Sequence, residues 1–134
     1  PDRWPLKIKK APKARCFAHS YIFQKASSQP LFLIYQEEQR RLLKGLKGFP
    51  LSEFKDHPHP CPIPHLQPLG SVTHIFTHIH LHVDIWTGLW QGDHAFNHFL
   101  PQHTWASVQE FKNMPFSRLM RKIECIFVKF LSSL

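Results

Sequence analysis

Histidine dominates the residues of this chain that could do chemistry: there are 11, against three cysteines and nine carboxylates. His78, His80 and His82 alternate and Asp84 continues the row, so on a strand all four side chains would share one face, with neighbours about 6–7 Å apart. That spacing is long for adjacent imidazoles to chelate one ion unless another strand contributes, and the row reads as an exposed strand face. His57, His59, Cys61 and His65 make a second ligand-like group, but Pro58, Pro60, Pro62 and Pro64 alternate with them, the pattern of an exposed extended segment. Cys16, Cys61 and Cys125 are odd in number and include no Cys-x-x-Cys pair, so neither a disulfide framework nor a zinc knuckle is expected. Cys125 falls in an apolar stretch and is expected in the core.

Nucleophilic and phosphate chemistry find no better footing. Gly-x-Ser-x-Gly is absent, none of the cysteines has a motif that sets a base beside it, and no glycine loop opens a helix with Lys-Ser or Lys-Thr behind it. Divalent-metal hydrolysis of nucleoside diphosphates needs several converging carboxylate oxygens. The Nudix pattern Gly-x5-Glu-x7-Arg-Glu-x-x-Glu-Glu cannot be laid on these nine acids, and Glu37-Glu38 and Glu53 are isolated pieces of it. No metal site is expected.

What remains is a binding surface. Seventeen Lys and Arg against nine acids leave a net charge of +8, which favours polyanionic partners, nucleic acid first. Arg3, Lys7, Lys9, Lys10, Lys13 and Arg15 crowd residues 1–15 with three prolines, as in a solvated basic linker. Arg118, Arg121 and Lys122 lie on a C-terminal amphipathic stretch. Of these cations, Lys7, Lys9, Lys10, Lys13, Arg15, Arg118, Arg121 and Lys122 are the candidates for phosphate contact.

The elements that must position these groups follow from texture. Residues 17–24 and 31–35 are apolar, β-branched and aromatic runs separated by Ala26-Ser27-Ser28-Gln29-Pro30, a hairpin signal. Polar residues 37–41 suggest a turn, and 42–54 loop with short strands. Residues 56–68 hold five prolines and must cross irregularly. Residues 72–86 read as one long strand with Ile75, Thr77, Ile79, Leu81, Val83 and Ile85 on its apolar face and His74, Phe76, His78, His80, His82 and Asp84 on the other. A turn at Gly92-Asp93 and a short strand over 95–99 come next. Two helices close the chain, 107–112 with a Ser107/Glu110 capping box and 116–131 with an apolar stripe through Leu119, Met120, Ile123, Ile126, Phe127, Phe130 and Leu131. At 134 residues the chain suits one domain, 16–134, behind a linker of 1–15. Its apolar runs are far shorter than the ~20 residues of a membrane span. The basic start without a Met suggests a piece of a longer protein, and free cysteines suit a reducing cytoplasm.

One stretch is more specific: Leu69-Gly70-Ser71-Val72-Thr73-His74-Ile75-Phe76-Thr77-His78-Ile79-His80-Leu81 resembles the His-x-Phe-Ser/Thr-His segment of the C-terminal domain of MutY-type adenine DNA glycosylases, a Nudix-related domain that has lost Nudix catalysis. Gly45-Leu46-Lys47-Gly48-Phe49-Pro50 resembles the family's Gly-Leu-Trp-Glu-Phe-Pro, and the basic linker, the two early strands, Trp105-Ala106-Ser107 and Pro115-Phe116-Ser117-Arg118-Leu119-Met120-Arg121-Lys122 occur in the matching order. The resemblance implies an α/β (α+β) fold, a Nudix-like mixed sheet sandwiched by helices. It implies recognition of 8-oxoguanine opposite adenine in double-stranded DNA, with Phe76, Thr77 and His78 at the lesion-contacting loop. Thr77 would donate or accept at the oxidised purine edge, His78 would bond base or phosphate, and Phe76 would prop the loop. Hydrolysis of the adenine N-glycosidic bond and the family's iron-sulfur cluster would belong to a separate N-terminal glycosylase domain, so this chain would carry no cofactor and be inactive alone. A bacterial, nucleoid-associated protein fits that role. Departures are Lys47, Gly48 where the family has an acid, and the proline-rich 56–68 in place of a longer helical segment. The rival readings are a stand-alone Nudix-type nucleotide hydrolase and a degenerate domain that binds a protein partner.

Overall fold

The computed structural model describes residues 14–36, 46–76, 78–90 and 103–134. Its strands are β1 (Ala14–Gln24), β2 (Phe32–Gln36), β3 (Lys47–Gly48), β4 (Gln67–Ile75), β5 (Ile79–Leu89) and β6 (His103–Ala106), and its helices α1 (Val108–Phe111) and α2 (Arg118–Ser132). The sheet runs β3-β2-β1-β5-β4, with β6 paired to β2. The α+β architecture follows the expectation, as do the 17–24/31–35 hairpin, the two terminal helices and the irregular proline segment. β1 takes in Ala14 and Arg15, the last two residues of the expected linker; residues 1–13, the 37–41 turn, Gly92-Asp93 and the 95–99 strand lie outside the described residues.

β1 and β5 pair in parallel along their full length, from Ala14 opposite Ile79 to Gln24 opposite Leu89. Because side chains alternate, this register sorts both strands onto two faces at once. On one face Ala18, Ile22, Leu81, Val83 and Ile85 pack with Phe49, Phe111, Leu119, Met120, Ile123 and Phe127. Each large side chain fully withdrawn from water there contributes about 1.5–3 kcal/mol. On the other face Tyr21, Phe23 and Leu33 are covered by Ile63 and Leu66 of the proline-rich segment, with Trp86, Trp90 and Trp105 around them. That segment is a strap across the second face of the sheet.

The expected long strand over 72–86 is instead a hairpin. β4 and β5 are antiparallel, with Ile75 opposite His80 and Val72 opposite Val83, and the Phe76 N–H donates to the Ile79 carbonyl at 2.8 Å. This register pairs even-numbered residues with odd-numbered ones, so the apolar parity reverses across the turn. Val72 and Phe76 join the core with Leu81 and Val83, whereas Ile75, expected on the apolar face, is 59% exposed. A single-strand reading of periodicity cannot see such a reversal.

α2 begins where Ser117 accepts a hydrogen bond from the Met120 N–H at 3.2 Å, satisfying one of the donors a helix start leaves free. Leu119, Met120, Ile123 and Phe127 are buried along one side, as the stripe predicts. Cys125 corrects its expectation: it lies on the opposite, exposed side of α2. Among the described residues no helix is long and apolar enough to cross a membrane.

Candidate nucleic-acid interface

The β4–β5 turn, the start of β1 and the first turns of α2 meet at one end of the molecule. Phe76 is half-buried against the core and meets His74 edge-on, with ring centroids 4.8 Å apart. His78 is exposed, and its carbonyl accepts from the Ala14 N–H at 3.2 Å. Thr77 lies outside the described residues. Arg15, exposed, stands opposite His80 in the β1–β5 ladder, so the chain carrying Lys7, Lys9, Lys10 and Lys13 enters the fold beside the turn; those four lysines also lie outside the described residues.

Across the hairpin stand Arg118 and Lys122, four residues apart on α2 and therefore on one side of it. Both are exposed, and the Lys122 ammonium donates to the Thr73 carbonyl at 2.8 Å. Two like charges at this spacing cost about 0.2–0.5 kcal/mol, a repulsion that a bound anion would relieve. Burial pushes the His74 imidazole below the ordinary histidine range, and Lys122 and Arg118 push it further.

Arg121 does not join this group. Its guanidinium donates to the Phe111 carbonyl at 2.9 Å, the Met114 carbonyl at 2.7 Å and the Glu124 carboxylate at 2.8 Å, and lies 4.8 Å from the centre of the Phe116 ring. It ties the α1–α2 connection to the helix, because position 121 faces that connection while 118 and 122 face β4. Arg121, expected among the phosphate contacts, is thus engaged within the chain by three hydrogen bonds.

Several histidines of the two groups are likewise engaged locally. His82 bonds Asp84 at 3.1 Å, His57 bonds Asp56 at 2.8 Å, and the His65 ring bonds the Leu89 carbonyl at 3.1 Å. Among the described residues no three His, Cys, Asp or Glu side chains converge as metal ligands. Among the described residues the donor set also does not fit the divalent ion of Nudix chemistry: Glu110 closes the capping box on Ser107, Glu124 holds Arg121, Asp84 holds His82 within β5, and Asp56 holds the adjacent His57.

Two residues escaped sequence reasoning. His19 is only 2% exposed; its Nε2–H donates to the His59 carbonyl at 2.9 Å and its Nδ1 accepts from the Trp86 indole N–H at 2.9 Å. It lies in an apolar run that gave no sign of the polar partners waiting 40 and 67 residues away. His74 was visible as a member of a row, but its burial beside α2 was not.

A mixed sheet with a parallel central pair, packed on one face by a long amphipathic helix and, among the described residues, bearing no carboxylate cluster, defines a Nudix-type domain. A family model described as the NUDIX domain matches residues 21–124, and the chain belongs to that family. It is 28% identical to an adenine DNA glycosylase of Rattus norvegicus over 90% of its own length, and spans 27% of that relative. Among solved structures it is similar to the C-terminal domain of mouse MUTYH, crystallised in complex with human PCNA (TM-score 0.62, 24% identity, 89% of this chain and 91% of that one). It is also similar to the NUDIX domain of Shewanella oneidensis NrtR in complex with ADP ribose (TM-score 0.65, 14% identity, 96% and 94%) and to a MutT protein of Methanosarcina mazei Go1 (TM-score 0.66, 14% identity, 90% and 97%).

Proposed function

We propose that this chain is the non-catalytic C-terminal domain of an adenine DNA glycosylase, where it binds duplex DNA and senses 8-oxoguanine opposite adenine while a separate N-terminal domain excises the adenine. The observation that carries this reading is the exposed turn at His78, braced by Phe76 on the core and flanked by Arg15, Arg118 and Lys122. A turn between two paired strands can present side chains to a base edge, and surrounding cations can hold the backbone phosphates that set its register. The similarity to a glycosylase over 90% of the chain supports the same reading. The scattered carboxylates weigh against a stand-alone nucleotide hydrolase.

The test is the ratio of affinities for an 8-oxoguanine:adenine duplex and an undamaged one. Thr77→Ala with His78→Ala should lower that ratio by roughly 10-fold, the worth of one or two base-edge hydrogen bonds, while affinity for undamaged duplex changes little. Equal losses on both duplexes would remove the turn from recognition. The chain alone should release neither adenine from the duplex nor, with Mg²⁺, phosphate from oxidised nucleotides.

A further inference from the structure

The Nδ1 atom of His74 is buried and has no hydrogen-bond partner among the described residues. A buried N–H without an acceptor is rarer and costlier than a lone pair without a donor, so the ring proton belongs on Nε2. The ring is fixed by its edge-on contact with Phe76. From α2, Arg118 and Lys122 bear on it, and Lys122 is pinned to the backbone of the neighbouring residue through the Thr73 carbonyl at 2.8 Å. From β5, His80 and His82 stand opposite Ile75 and Thr73, on the hairpin face away from His74. A neutral imidazole, a guanidinium and an ammonium therefore lie along the seam between β4 and α2.

We propose that His74, Arg118 and Lys122 form a binding site for one phosphodiester of duplex DNA, with His74 as a neutral donor that anchors the strand next to the β4–β5 turn. This assignment rests on the DNA-binding reading of the domain and adds a residue and a strand contact to it. The anion turns the mutual repulsion of the two cations into attraction for a shared partner, and the same change removes the field that disfavours a charged His74. Binding and protonation at His74 are thus linked: DNA should raise the imidazole's affinity for a proton, and mildly acid conditions should tighten DNA binding through this residue.

The decisive measurement is the titration of the His74 ring by NMR in the 134-residue chain, free and saturated with undamaged duplex at low salt. The free midpoint should lie below that of an ordinary histidine, and DNA should raise it by about 1 pH unit or more, the effect of an anion within hydrogen-bond reach. His74→Phe keeps an aromatic ring against Phe76 and removes the donor. It should lower affinity by about 10-fold for damaged and undamaged duplexes alike, because a phosphate contact carries no base information. Arg118→Gln and Lys122→Gln should each reduce the slope of log affinity against log salt by ~0.9. A midpoint that DNA leaves unmoved, or full affinity in His74→Phe, would overturn the site. Lesion preference with an unmoved His74 would defeat the phosphate site alone, whereas a moved His74 without lesion preference would defeat the recognition reading alone. Absence of any duplex binding would defeat both.

Discussion

His19 shows what a single buried imidazole does in this fold. One ring nitrogen donates to the His59 carbonyl of the strap and the other accepts from the Trp86 indole of β5, so both are satisfied only when the ring is neutral. Burial, the largest influence on it, holds its proton affinity below the ordinary histidine range, as it does for His74. The sign of the pH effect follows. Above about pH 6.5 these imidazoles are neutral in both folded and unfolded chains; below it the unfolded chain takes up protons first, so stability falls with pH until the depressed folded midpoints are reached. His19→Phe should flatten part of that fall. It should also cost about 1–3 kcal/mol at pH 7.5, because the Trp86 N–H and the His59 carbonyl lose their partner. Denaturant titrations of both proteins between pH 5 and 7.5 measure the two effects together, and equal pH slopes would show that His19 is not the responsible group. Gly48 makes a related point in packing: a Cβ there would lie 2.6 Å from Met120 Cγ, so the Met120 side chain of α2 fills the space that a larger residue at position 48 would need.

The strap over 56–66 is the element whose form sequence reading only half anticipated. Alternating prolines rule out a helix, yet the segment does more than cross the surface, since Ile63 and Leu66 are buried under the second face of the sheet. Gly88 of β5 lets it approach closely: a Cβ there would meet Leu66 Cδ2 at 2.6 Å. Leu66→Ala should therefore cost about 2–3 kcal/mol and raise amide hydrogen exchange at residues 57, 59 and 61 more than in α2. Uniform exchange across the chain would mean that the strap opens only with global unfolding. The β4–β5 hairpin depends on a different element pair and should stay protected in this variant.

Across the whole molecule, the described cations behind the +8 charge are placed in a way that composition alone does not show. Arg15, Arg118 and Lys122 stand at one end with the turn, while Arg121 is spent inside the α1–α2 connection. If the basic start of the chain also follows the DNA backbone, a protein beginning at Ala14 should lose salt dependence. Its slope of log affinity against log salt should fall by up to ~4.5 for the five cations Arg3, Lys7, Lys9, Lys10 and Lys13 at ~0.9 each, with the lesion ratio unchanged. An unchanged slope would make residues 1–13 a tether with no phosphate contacts.

Local features were legible in the order of the residues, because these depend on neighbours in the chain. The Ser107/Glu110 and Ser117 helix starts, the stripe of α2, the proline segment's lack of regular structure and the His74-to-His78 motif are all written within a few residues. Where the long alternating run turned back, which cations faced outward and which histidines were buried depended on contacts between distant elements. The β4–β5 register reversed the parity that exposed Ile75, and the α1–α2 connection claimed Arg121. The decisive partners of His19 and His74 lie on other elements, and only tertiary packing, which sets burial and electric field at each ring, could choose them.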